Sequence, residues 1–301
     1  MGDDGIVLGD NRYGKAETRL VRVMRDSARH EVRDLTVSTS LRGDFTAAHV
    51  DGDQAKVLPT DTQKNTVYAF AKAHGVGTPE DFGRDLARHF VDDLSPVTTA
   101  QVVVEEHRWD RATVSGRPHD HTFVRSGTET RTAVVTAYDG GEHVLSGLAG
   151  LVLMKSTGSE FRDFLVDDLT TLSPATDRVL ATALTARWRW DTVPGDGYDA
   201  AYDVVRALLV SRFGGLHSLA LQQTLWEMGR TVLGARADVA ELRMSAPNKH
   251  HNLVDLTPFG LENPGEVFVA TDRPYGLIEV VVGRDEGTPS PDAWRDLPGF
   301  V

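Results

Sequence analysis

The sequence LRMSAPNKHHNLVDL, residues 242–256, sets an unusual loop between two strand patterns. Before the loop, Leu242 and Met244 alternate with polar residues, and after it residues 253–256 are short, apolar and β-prone. The loop itself, residues 247–251, has an amide, an ammonium and two imidazoles where a turn ordinarily has glycine, aspartate or serine. These groups can donate or accept hydrogen bonds, and an imidazole also gains or loses a proton near neutral pH. The loop is therefore either a solvated connection or part of a reactive site.

The composition is that of a globular protein with room for two domains. The chain has 301 residues, of which 40% are hydrophobic and 25% are charged. No apolar run approaches the ~20 residues that span a bilayer, so we expect no membrane segment. Residues 1–4 are acidic and lack the pattern of a secretory signal, so we expect a cytoplasmic location.

Net charge and the absence of cysteine exclude several classes of function. A net charge of −12 argues against nucleic acid as a partner, because its phosphates are bound by clustered lysine and arginine. A chain without cysteine has no disulfide, no thiolate nucleophile, no zinc–thiolate site and no iron–sulfur cluster. The phosphate-binding pattern GxxxxGK(S/T) is also absent, so nucleotide-binding folds have little support.

The order of predicted elements is the same in both halves of the chain. In the first half Thr60 and Thr78 are the predicted N-caps of two helices. The elements of that half are strands at 18–25 and 31–41, helices at 60–74 and from 78 onward, and strands at 101–109 and 121–138 that are separated by a turn rich in Gly, Pro and His. The elements of the second half are strands at 142–154 and 178–190, helices at 198–213 and 217–233, two strands flanking the Asn248 loop, and an apolar run at 267–283.

Each half therefore has the order ββααββ, an α+β plan of antiparallel sheets with helices on one face. We predict two such domains, at residues 10–140 and 141–298. Two helices cover only part of a four-stranded sheet, and the outer strands leave unpaired edges. Association into closed multi-subunit barrels would bury those edges, so we expect a homo-oligomer.

Several polar residues are candidates for chemistry, each with a structural alternative. Lys15 beside Thr60 would activate a hydroxyl that is otherwise a poor acid, although a lysine at a strand start is ordinarily solvated. Phe161 either anchors a surface loop or stacks on a flat heteroaromatic ligand. Arg178 either forms a strand-edge salt bridge or a bidentate fork to that ligand, and Gln222 either faces solvent or pairs with the ligand's edge.

Two histidine clusters are weak candidates for a metal site. His119 and His121 flank Asp120 and would share one face of a strand, whereas His250 and His251 would point to opposite faces. Two close histidines and a carboxylate form a known ligand set, but spacing alone is weak evidence. We favour a hydrogen-bonding role for these residues and predict no metal.

Nine short motifs occur in a fixed order along nearly the whole chain. They are YGK (13–15), TDTQKNT (60–66), LMKST (153–157), SEF (159–161), TTL (170–172), TDR (176–178), QQTL (222–225), PNKH (247–250) and DRPYG (272–276). In these motifs the chain resembles the cofactor-independent urate oxidases, or uricases. That family has the tunnelling fold, with tandem ββααββ units in a homotetramer, which is similar to the repeat described above.

The resemblance implies active sites at subunit interfaces. Lys15, Thr60 and Asp61 of one chain would face the remaining site residues of its neighbour. Lys15, Thr60 and His250 would form a proton relay, and dioxygen, later water, would bind near Thr60 and Asn248. The implied substrate contacts are the Arg178 and Gln222 side chains at opposite polar edges of urate, the Phe161 ring beneath it, the Asp61 and Leu221 backbone N–H groups in its plane, and Leu172 as an apolar wall.

The implied reaction is the oxidation of urate by dioxygen to a 5-hydroperoxide, which loses hydrogen peroxide as water adds to give 5-hydroxyisourate. No cofactor and no metal is implied. Leu221 stands where the family often has a smaller branched residue, and His251 has no implied role. Residues 298–301 lack the peroxisomal Ser-Lys-Leu signal of eukaryotic relatives, which again favours a cytoplasmic location.

Two other functions remain open at this stage. One is a metal-dependent enzyme of the tunnelling fold that transforms a pterin or purine, since such enzymes bind flat heterocycles like urate at a zinc ion held by histidines. No well-spaced histidine triad is present here, which argues against it. A protein that binds a purine without converting it would need no relay, so the combination of Lys15, Thr60 and His250 argues against it.

Overall fold

The computed structural model describes residues 5–287 and 289–297, and within them the chain forms two compact units divided between Ser146 and Gly147. The expectations about residues 1–4, about the last residue of the second predicted domain and about residues 298–301 lie outside the described residues. The predicted α+β class with antiparallel sheets is confirmed. Among the described residues, no helix has the length and apolarity that a membrane crossing requires.

The first unit has a sheet with the strand order β1–β2–β3–β6, and all of these pairs are antiparallel. The predicted first strand begins earlier than expected, so that Lys15 lies within it. The strand bounds are β1 Tyr13–Met24, β2 Glu31–Gly43, β3 Val97–Glu106 and β6 Thr130–Tyr138.

A two-stranded hairpin replaces the predicted turn between the third and fourth strands of this unit. Its strands are β4 (Trp109–Val114) and β5 (Arg117–Arg125). The connection is only Ser115-Gly116, where φ is 52° and 77°. Positive φ at both central residues matches the right-handed twist of a hairpin, so this glycine marked a tight turn and not a long loop.

The helices of the first unit are the short α1 (Thr46–Val50), α2 (Thr60–Ala73) and α3 (Pro79–Asp92). The predicted cap of α3 is confirmed, because the Thr78 hydroxyl accepts a hydrogen bond from the Asp81 N–H at 3.1 Å. The predicted cap of α2 is wrong. Pro59, with its fixed φ of −54°, takes the N-cap position, so that Thr60 is the first helical residue.

The second unit has the strand order β7–β8–β9–β12. Its strands are β7 Gly141–Lys155, within which the division between the units falls, β8 Leu180–Trp190, β9 Val239–Pro247 and β12 Leu277–Gly283. Its helices are α4 Tyr198–Gly215 and α5 Leu221–Ala235, with short 3₁₀ turns at Thr257–Phe259 and Pro291–Trp294.

The last strand of the second sheet comes from the predicted apolar run and not from the residues directly after the loop. β12 pairs with β9, whereas His250–Leu253 forms β10 and pairs with β11 (Phe268–Thr271) in a separate two-stranded sheet. The prediction that both flanking strands belong to the main sheet is therefore wrong. A four-residue strand has too few apolar side chains to specify its partner from sequence.

In each unit a glycine of the last α-helix lies against a valine of the last strand of the sheet. A Cβ on Gly83 of α3 would lie 3.0 Å from Val135 Cγ2 of β6, and one on Gly229 of α5 would lie 2.6 Å from Val282 Cγ2 of β12. Both glycines are buried. The missing Cβ thus lets the helix approach the last strand of the sheet in both units.

Gly229→Ala is expected to destabilise the protein by about 1–3 kcal/mol, because the new methyl group overpacks the contact with Val282. Gly234→Ala is the matched control, since Gly234 is exposed in the same helix and a Cβ there would meet no atom within 4 Å. That control should stabilise by up to about 1 kcal/mol through helix propensity. Thermal midpoints measured at one scan rate test both changes, and equal midpoints for the two variants would contradict the close approach.

Candidate functional site

Lys15 lies at a bulge in β1. The backbone at Gly14 approaches β2 so closely that a Cβ would lie 1.8 Å from the Thr39 carbonyl oxygen. After Lys15 the register shifts, and Glu17 takes a φ of 56° while its N–H donates to Ser38 Oγ at 2.9 Å. A bulge of this kind bends the strand and redirects a side chain, so the local sequence specifies where Lys15 points.

Hydrogen bonds connect the Lys15 segment to the first turn of α2. The Lys15 N–H donates to Thr39 Oγ1 at 3.3 Å, and that hydroxyl donates to Gln63 Oε1 at 2.7 Å. Gln63 is fully buried in the first turn of the helix that begins at Thr60. The strand that contains Lys15 and the start of the Thr60 helix are therefore held in one fixed arrangement.

The N-terminus of α2 is open and exposes Thr60 and Asp61. No side chain caps this end, so backbone N–H groups of the first turn remain available to an acceptor. The Asp61 carboxylate contacts Lys64 and accepts from Asn65 Nδ2 at 3.0 Å. Its hydrogen bond with Lys64 is the main cause of a lowered Asp61 pKa, and the charge of Lys15 contributes in the same direction.

In the second unit, Asp177 organises the loop that precedes β8. Its carboxylate accepts from Thr157 Oγ1 at 2.6 Å, from the Gly158 N–H at 2.9 Å and from the Ser159 N–H at 3.3 Å. The Arg178 N–H also donates to it, at 3.1 Å. These bonds lower the pKa of Asp177, the Thr157 bond most of all. Asp177 therefore fixes the backbone just before Phe161 and at Arg178, two candidate substrate-binding residues of this loop.

Arg178 and Phe161 are in contact. Phe161 forms an isolated antiparallel bridge with Ala175, and the Arg178 N–H donates to the Ser159 carbonyl at 2.7 Å. The Arg178 guanidinium lies 5.1 Å from the centroid of the Phe161 ring. Burial lowers the pKa of Arg178, and its buried Nε has no hydrogen-bond partner. A desolvated cation with an unused donor is prepared for a planar acceptor.

Two details of this loop differ from the sequence analysis. β8 begins at Leu180, so Arg178 belongs to the loop and does not open the strand. Phe164 stacks on Phe161 with ring centroids 5.1 Å apart and an interplanar angle of 16°, a contact that the sequence did not indicate. Leu172, in the same loop, is 61% exposed.

Leu221 and Gln222 are the first two residues of α5, which begins four residues later than predicted. The helix starts later because Ser218 is fully buried and forms a parallel bridge with Ser159, which holds residue 218 in an extended segment. Leu221 is buried and Gln222 is exposed, and no side chain caps this helix end. The backbone N–H of Leu221 is therefore at an open helix start, as is that of Asp61.

The Asn248 loop is held against the beginning of β8. Asn248 forms a bridge with Thr182, its N–H donates to the Gly276 carbonyl at 2.8 Å, and the Lys249 N–H donates to the Ala181 carbonyl at 2.8 Å. Asn248 and Arg178 thereby lie near the same end of β8. Since that end also follows the Phe161 loop, these three candidate residues come from adjoining segments of one unit.

His250 and His251 lie in β10 and not in the loop, because β11 pairs with them. His250 is opposite Thr271, and both histidines are partly exposed. The His251 Nδ1–H donates to the Lys249 carbonyl at 3.0 Å. This bond gives His251, which had no implied role in the reaction, a structural one.

No group of three or more His, Asp or Glu side chains within residues 5–287 and 289–297 is arranged to hold a metal ion. The His119 and His121 rings instead contact each other edge-on, with centroids 4.5 Å apart. The predicted site residues are distributed over both units. Lys15, Thr60 and Asp61 belong to the first, and Phe161, Leu172, Arg178, Leu221, Gln222, Asn248 and His250 belong to the second.

Comparison with known proteins supplies the family. The sequence profile of the Uricase family matches residues 11–136 and 144–279. A uricase of Arthrobacter globiformis is 50% identical and covers 98% of this chain and 96% of its own, and one of Cyberlindnera jadinii is 35% identical over 93% and 98%. The crystal structure of the Arthrobacter globiformis uricase matches with a TM-score of 0.92 at 50% identity, over 97% of this chain and 99% of that one. The chain therefore belongs to the uricase family.

Proposed function

We propose that this protein oxidises urate with dioxygen and water to 5-hydroxyisourate and hydrogen peroxide, without a cofactor or metal. Membership of the uricase family supports the substrate. The observation that argues most strongly for it in the structure is the Arg178–Phe161 pair, a planar cation with an unused buried donor beside an aromatic ring. Such a pair fits a flat anion with adjacent acceptor atoms along one edge.

In this proposal Arg178 and Gln222 bind opposite polar edges of urate, and Phe161 stacks beneath its ring. Leu172 is an apolar wall, which agrees with its exposure in the described chain. The N–H groups of Asp61 and Leu221 bind oxygen or nitrogen atoms in the plane of the ring. Both stand at uncapped helix starts, where free N–H groups and the helix dipole favour a negative charge.

The proposed proton relay consists of Lys15, Thr60 and His250. The threonine hydroxyl is too weak an acid to act alone, so Lys15 receives its proton and His250 exchanges protons with bulk water. Dioxygen and then water bind over the ring face, near Asn248 and Thr60. Urate supplies the two electrons that reduce dioxygen to peroxide, so the protein needs only to orient the reactants and move protons.

The proposed assembly is a homotetramer with each active site between two chains. Lys15, Thr60 and Asp61 then come from one chain, and the residues of the second unit come from its neighbour. β1 is at one end of the strand order of the first unit and β12 at one end of that of the second, where unpaired backbone groups are available for pairing between subunits. Such pairing would close the sheets into the predicted oligomeric barrel.

Purified protein is expected to consume urate with one dioxygen taken up and one hydrogen peroxide released per urate. Exhaustive chelation should leave the rate unchanged, because no step requires a metal. Urate absorbance, an oxygen electrode and a peroxide assay measure the three quantities. An intact oligomer that leaves urate unchanged would refute the proposed function, and activity lost on chelation would refute its independence of metal.

Changes in the relay and in the substrate clamp should have different kinetic effects. Lys15→Met and Thr60→Ala are expected to lower kcat by about 10²–10⁴-fold with little change in KM, since they remove proton transfer. Arg178→Ala should instead raise KM by about tenfold or more, because it removes charge-assisted binding.

The control for these variants is Lys56→Met, which removes an exposed ion pair with Asp44 and should change neither constant. Steady-state kinetics on all four variants provide the comparison. An unchanged kcat in Lys15→Met would overturn the relay while leaving the proposed reaction in place.

A further inference from the structure

Lys155, the last residue of β7, is a partly buried cation for which the proposed reaction has no use. Its Nζ donates to the Leu216 carbonyl at 2.6 Å and to Ser218 Oγ at 2.7 Å, and it lies 5.6 Å from the centroid of the Phe213 ring. Leu216 is the C-cap of α4, where a positive charge is stabilised by the helix dipole. Burial lowers the pKa of Lys155.

Ser218, the partner of Lys155, connects two segments that contain candidate substrate residues. Its N–H donates to the Gly158 carbonyl at 2.9 Å, and its carbonyl accepts from the Glu160 N–H at 2.8 Å. Glu160 directly precedes Phe161. The Ser218 hydroxyl also shares a 2.6 Å hydrogen bond with Thr224 Oγ1 in the first turn of α5.

The contacts of Lys155 and Ser218 therefore lie between the two sides of the substrate clamp. One side is the loop with Phe161 and Arg178, and the other is the helix start with Leu221 and Gln222. Ser218 and Thr224 are both fully buried, so their side chains have a single well-packed arrangement. The Lys155 ammonium group donates a charge-assisted hydrogen bond to the Ser218 hydroxyl and thereby orients it.

We infer that Lys155 is a positioning residue that sets the spacing of the urate clamp through Ser218. The inference rests on the proposed function, because it takes Phe161, Arg178, Leu221 and Gln222 to bind one ligand. Lys155 does not touch that ligand. It holds the α4–α5 junction against the end of β7, and both sides of the clamp are built on that junction. Displacing either side weakens every in-plane contact to the purine.

Lys155→Met retains the length and apolar stem of the side chain and removes its charge and donors. It is expected to raise the KM for urate by about tenfold with kcat within about threefold of wild type, because ground-state and transition-state binding weaken together. The dissociation constant of xanthine, a planar purine probe, should rise by the same factor in calorimetry. Ser218→Ala, a smaller change, should raise both constants by about threefold.

The double variant Lys155→Met/Ser218→Ala should raise the KM for urate by less than the product of the two single effects, because both changes remove the Lys155–Ser218 hydrogen bond. Lys56→Met is again the control and should match wild type. A lower thermal midpoint in Lys155→Met with unchanged KM and unchanged xanthine binding would show a purely structural lysine and overturn the inference. Additive effects in the double variant would overturn it as well.

The two proposals fail in distinguishable ways. Wild-type protein that binds xanthine in a Lys155-dependent manner but leaves urate unchanged would refute the reaction and support the positioning role. Wild-type protein that oxidises urate while Lys155→Met and Ser218→Ala retain its KM would support the reaction and refute the positioning role. Wild-type protein that neither oxidises urate nor binds xanthine would refute both.

Discussion

The close approach of a helix to its sheet, made at a glycine in each unit, is a packing constraint of the fold, and in the second unit it places the helix that begins with Leu221 and Gln222. Gly83 meets Val135 in the first unit and Gly229 meets Val282 in the second, at equivalent places in the ββααββ order. A larger side chain would lift the helix from its sheet. Because Gln222 is on the same helix as Gly229, its place relative to the second sheet depends on this contact.

Polar networks then fix the loops that the sheets alone leave undetermined. Asp177 gathers backbone N–H groups around the segment before β8, and Ser218 links the loop before Phe161 to the start of α5. The Asp177 network is exposed, whereas the Ser218 network is buried, and each gives hydrogen-bond partners to backbone groups and so restricts the backbone. The Arg178 Nε is buried without a partner, as is the Ser159 Oγ of the same loop, and a polar atom left in this way at a candidate site can bind a ligand.

Local signals predicted much of the fold. Thr78 followed by Pro79 marked the start of α3, because a side-chain cap and a proline at the first helical position act within one turn. Non-local choices could not be predicted in this way. The pairing of β12 with β9, the β10–β11 sheet and the delayed start of α5 at Leu221 depend on contacts far apart in sequence. The motifs named the candidate site residues, whereas the contacts of Lys155 and Ser218 join segments about 60 residues apart and leave no local signal.

The central claim is that one active site takes residues from two chains, and subunit complementation tests it most directly. Lys15→Met and Arg178→Ala chains are each expected to be defective at low urate concentration. When they are co-expressed in equal amounts, random pairing of chains gives about a quarter of the sites both native residues. We predict that the mixed oligomers recover activity in that proportion. Mixed oligomers no more active than the parent variants would show that Lys15 and Arg178 act from the same chain and would contradict the claim.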